Sequence, residues 1–96
     1  MRLTEDLVEK TVSQCGAQAI PQGHPAIPQL NELFGDHTFF LDDSGLVIVE
    51  PTQSPRRGVW AGQVVKLAAW SDPDRTGLSP HRPEPTDVVI VMPMEH

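Results

Sequence analysis

The chain has 96 residues, 39% of them hydrophobic and 21% charged, which is the size and balance of a single globular domain spanning 1–96. Its net charge of −6 lies wholly in residues 1–50, while 51–96 are balanced, so the first half repels phosphate backbones and nucleic-acid binding is disfavoured. The lone Cys15 excludes an intramolecular disulfide. Acids at Glu5 and Asp6 replace the apolar run of a signal peptide, and no stretch nears the ~18 apolar residues of a membrane span, so a soluble cytoplasmic domain is expected.

The first element reads as a helix over about residues 5–17. Thr4 suits the N-cap, where its hydroxyl accepts from an orphan backbone amide. Glu5 and Asp6 follow in the first turn, where the helix dipole favours negative charge. Leu3 and Val8 have the spacing of a hydrophobic staple. Leu7, Val8, Val12, Cys15 and Ala19 recur near one face, and Gly16 or the segment before Pro21 ends the helix. Pro21 to Asp36 reads as a proline-punctuated linker and a short second helix. Pro25 and Pro28 fit a first turn, Leu30, Leu33 and Phe34 form the apolar stripe, and Gly35 stands after the last turn.

The clearest signal follows. Thr38–Leu41 and Leu46–Val49 flank Asp42-Asp43-Ser44-Gly45, which predicts a hairpin with a type I turn and a left-handed Gly45. Both strands are apolar at nearly every position, so both faces need cover: one from the helices, the other from a second sheet or a partner subunit. Pro51–Gly58 reads as a loop. Val59–Trp70 fits a strand better than a helix because of Gly62 and the Val64-Val65 pair. Ser71–Thr86 holds Pro73, Pro80, Pro83 and Pro85 and reads as a long loop, and Val88–Met92 as a last strand stopped by Pro93. The order predicts an α+β fold: an N-terminal helix and a short second helix on a mainly antiparallel sheet of about four strands.

Several residue groups bear on function. The 71–86 loop carries Asp72, Asp74, Arg75, His81, Arg82 and Glu84. It reads either as a recognition loop stiffened by proline or as a braced crossover with solvated charges. Arg56 and Arg57 could fork onto a carboxylate or phosphate, or pair with nearby acids. His24, His37, His81 and His96 match no zinc spacing, even with Asp36 added, and no metal or other cofactor is expected. Cys15 sits among apolar and acidic residues, an inert setting for a thiol. Nucleophile elbows, phosphate-cradling glycine loops and complete calcium loops are missing from the sequence. Trp60 and Trp70 stand ten positions apart, on one face of a regular strand, as core residues or interface anchors. Pro80-His81-Arg82-Pro83 matches a proline-ligand pattern too short to carry weight.

Three functions compete. The leading one is a non-catalytic protein-interaction module, self-associating or bound to a protein partner, because the two-faced hairpin has too little other chain to cover it. The second is a small metal- or His/Asp-dependent enzyme using Asp36, His37 and His81. The third is a regulatory domain receiving a small anionic ligand on Arg56, Arg57 and Arg82. On these readings the residues to watch are Arg56, Arg57, Trp60, Trp70, His81 and Arg82.

Overall fold

A computed structural model describes residues 3–54 and 57–93. Arg56 and His96, both singled out above, lie outside the described residues.

The first helix, α1, runs Glu5–Cys15. Thr4 is extended and its side chain accepts from the Leu7 amide, and Gly16 closes the helix in the left-handed region at φ 66°, its amide bonded to the Val12 carbonyl. Leu3 and Val8 both pack against the same core cluster, in keeping with the staple spacing. The face is rotated from the one expected. Thr11 is buried, its hydroxyl donating to the Leu7 carbonyl, while Val12 is exposed. A second helix, α2, runs Ile27–Phe34 with Pro28 in its first turn. Leu30 and Phe34 turn to the core and Leu33 to solvent.

The strands are β1 Gln18–Ala19, β2 Phe40–Asp42, β3 Gly45–Pro51, β4 Val59–Trp70 and β5 Leu78–Pro93. They form one antiparallel sheet in chain order, β1-β2-β3-β4-β5. Among the described residues the fold is thus α+β with two helices, and five strands where about four were expected. The extra strand is the two-residue β1, which pairs Gln18 with Leu41 and Ala19 with Phe40. Val59–Trp70 is a strand throughout. Among the described residues no helix is long and apolar enough to cross a membrane.

The sheet has a helix on each face. Phe39, Leu46, Ile48, Val65 and Leu67 meet Ile27, Leu30 and Phe34 of α2. Phe40, Val47, Val49, Val64 and Ile90 meet Leu3, Val8 and Cys15 around α1. Neighbouring residues in a strand point to opposite faces, so a run such as Leu46-Val47-Ile48-Val49 supplies both clusters. This corrects the expectation of a second sheet or a partner over one face: splitting the two helices between the faces covers both.

The β2–β3 turn is tight, with Asp42 opposite Gly45. Asp42 Oδ1 accepts from the Ser44 amide (2.8 Å), the Ser44 hydroxyl (2.6 Å) and the Gly45 amide (3.0 Å). Gly45 adopts φ 133°, positive but outside the left-handed helical region expected for it. Glycine is required for a second reason as well: a Cβ there would run into the Ala68 carbonyl of β4. Between Leu46 and Val47 one step of β3 spans two steps of β4, from Ala68 to Lys66, so Leu67 is an extra, bulged residue.

Candidate interaction edge

The largest departure from the sequence reading is β5. The segment expected to be a loop through Thr86 is a strand from Leu78 onward, and the connecting loop is only Ser71–Gly77. That loop is held by Asp72, which accepts from the Thr76 amide (2.8 Å) and the Thr76 hydroxyl. These bonds, first the hydroxyl and then the amide, hold the Asp72 carboxyl below its ordinary pKa. The Ser71 amide donates to the Gly77 carbonyl at 3.0 Å and closes the loop. Arg75, at φ 57°, places its guanidinium 3.2 Å from Asp43 in a solvent-exposed ion pair of small energetic weight.

Prolines fit β5 because it is an edge strand, where a missing amide can face away from the sheet. The strand divides in two. In its first part Ser79 and Pro80 pair with Ala69 and Ala68, and Glu84 and Pro85 with Lys66 and Val65. His81, Arg82 and Pro83 bulge between those pairs. His81 Nδ1 donates to the Arg82 carbonyl at 2.7 Å, a bond within the bulge itself. A second irregularity at Thr86–Val88 is stitched by side chains. Gln63 donates to the Thr86 carbonyl (3.0 Å), the Thr86 hydroxyl donates to the Val64 carbonyl (2.7 Å), and the Val88 amide donates to Thr86 Oγ1 (3.2 Å). From Val89 to Pro93 the ladder on Gln63–Val59 is regular.

Among the described residues, no strand lies beside the outer side of this second part. Val88, Val89 and Val91 are 44%, 40% and 38% exposed, whereas Ile90 between them is wholly buried under α1. On α1, Gln14 reaches the Val89 carbonyl at 3.4 Å, a long and exposed contact. Between Pro85 and Pro93 no residue lacks a backbone donor, and Asp87 is the only charge.

The other candidate residues are dispersed. Arg57 is exposed in the turn before β4, while His81 and Arg82 lie opposite Lys66–Ala68, so about 25 Å of strand separates them. No shared anion site joins Arg57 to Arg82. His24, Asp36, His37 and His81 do not converge either: among the described residues no group of three or more His, Cys, Asp or Glu is placed to hold a metal. His24 Nδ1 accepts from the Ala26 amide (3.1 Å), and His37 Nε2 donates to the Phe34 carbonyl (3.1 Å) with its ring edge-on to Phe39.

The tryptophans face opposite ways. Trp60 packs in the α1-side cluster, over Gly62. Trp70 lies opposite Leu78, which packs on the α2 side, and its indole donates to the Asp42 carbonyl at 2.8 Å. The bulge at Leu67 shifts the alternation by one, so the same-face expectation fails. Both rings are occupied within the fold and do not form one patch. Cys15 is half-buried beside the α1-side cluster, and burial, then the nearby Asp42 carboxylate, push its thiol up.

A groove of about 440 Å³ lies between α1 and Ala19–Gln22 and is lined by Leu3, Val8, Ile20 and Thr38 with Glu5 and Glu9. Compared with known proteins, the chain matches no family model, no curated protein and no solved structure.

Proposed function

We propose that the chain is a non-catalytic interaction module that takes up an extended strand on the open edge of β5, along Val88–Met92. The observation that carries this reading is the contrast within one edge strand: a proline-punctuated, bulged first part and a regular, valine-rich second part with exposed side chains. An edge of this kind offers backbone donors and acceptors for affinity and alternate side chains for selectivity. Folded proteins ordinarily block such an edge with lysine, proline or an inward charge. From Val88 to Met92 none of these is present. The interaction surface expected at Trp60 and Trp70 therefore moves to β5.

A fluorescein-labelled peptide of alternating valine and threonine, with lysines at both ends, tests the reading. Its anisotropy should rise with added protein, and a Val89→Lys/Val91→Lys double variant should lose the effect. Absence of binding up to about 1 mM, where association is worth only about 4 kcal/mol, would remove strand uptake as the function.

A further inference from the structure

We infer that the strand received by β5 is β5 of a second copy of this chain, laid antiparallel with Ile90 on the two-fold axis. The inference rests on the reading of β5 as a strand-accepting edge.

Three observations choose this occupant. The first is self-complementarity. With Ile90 opposite its own copy, Val89 of one protomer faces Val91 of its partner, and Val88 faces Met92. Two-fold symmetry makes each pair twice. Exposed β-branched side chains then meet one another across the seam, the pairing that stabilises neighbouring strands. The second is charge. Asp87, the single charge between Thr86 and Met92, falls beyond the paired run in this register. A parallel in-register pairing would set Asp87 against its copy, which is destabilising. The half of α1 that reaches β5 is also uncharged, from Thr11 to Cys15, so the chain's excess acid does not face itself at the seam. The third is length. Pro85 and Pro93 bound the stretch in which every residue keeps its amide, and its apolar end, Val88–Met92, is regular from Val89 onward.

The seam joins two five-stranded sheets into one of ten strands. Five residues of pairing fall short of the roughly 1,200 Å² buried by stable specific complexes, so a micromolar dimer in exchange with monomer is expected.

The register is tested by cysteine cross-linking in a Cys15→Ser background. Val89→Cys and Val91→Cys proteins, mixed and oxidised, should yield a disulfide-linked pair containing one of each. Neither alone should cross-link efficiently, because like positions sit about 8 Å apart diagonally, beyond disulfide reach. Efficient cross-linking of Val89→Cys alone would overturn the Ile90 axis. Native mass spectrometry of the unmodified chain at high micromolar concentration separates the two levels. A monomer that still binds the valine–threonine peptide overturns the second copy as occupant and leaves strand uptake standing. A monomer that binds no peptide sinks both.

Discussion

The two edges of this sheet are closed in different ways. One edge is β1, two residues long, with Pro21 two positions beyond its end. A strand that short offers no template for pairing. The other is β5, sixteen residues long. Its first part is guarded by Pro80, Pro83 and Pro85 and by a bulge at His81–Pro83, whereas its second part, beyond the irregularity at Thr86–Val88, has no proline before Pro93 and only the long, exposed Gln14 contact over it. A long edge needs protection along its whole length, and the proposed partner strand would add where that protection thins.

The comparison breaks most completely if the middle of the sheet is broken. Gly45→Ala puts a Cβ against the Ala68 carbonyl at φ 133°, and a loss on the order of 3 kcal/mol or more is expected, read by urea unfolding. Little change in the midpoint would mean that β3 and β4 are not pressed together there. Next is Ile90→Ala, which should cost about 2–5 kcal/mol because that side chain is wholly buried under α1. Its exposed neighbours give the sharper contrast. Val89→Lys should shift stability by no more than about 0.5 kcal/mol while abolishing peptide uptake and dimerisation. Equal destabilisation by both substitutions would erase the distinction between the inner and outer sides of β5. Away from the edges, Thr4→Ala removes the α1 cap and should cost about 1 kcal/mol.

The smallest effect concerns the Ser71–Gly77 turn from which β5 starts. The Asp72 carboxyl is depressed in the folded state by Thr76. Its contribution to the turn is therefore complete above the ordinary aspartate range and fades as pH falls through the depressed value. The Thr76 amide resonance should move on acidification below the pH at which an unperturbed aspartate titrates, and Asp72→Asn should abolish that step. A midpoint at the ordinary aspartate value would show that the turn is open in solution.

Local chemistry made much of the fold legible. Leu3, Thr4 and Val8 announce the start of α1 and Asp42–Gly45 the hairpin, because caps, staples and turns depend on residues only a few positions apart. The end of α1 was legible only as Gly16 or the segment before Pro21. The apolar β3 run likewise announces a strand needing cover on both sides. What covers it was not legible, since nothing in Leu30 or Val8 says which face of the sheet each helix will take.

The candidate edge was hidden for a similar reason. Proline reads as loop in a linear scan, and only the strand order reveals that Pro80, Pro83 and Pro85 lie at a margin where their missing amides are tolerated. The tryptophan pair was misread because counting by twos assumes an unbroken ladder, and the extra residue at Leu67 arises from the pairing of β3 with β4. Element type, caps and turns follow from short-range sterics and hydrogen bonding and are written in neighbouring residues. Strand order, bulges and the exposure of one side of β5 follow from which distant segments pair. Those non-local choices leave the side chains of a valine-rich strand exposed at the margin of the sheet.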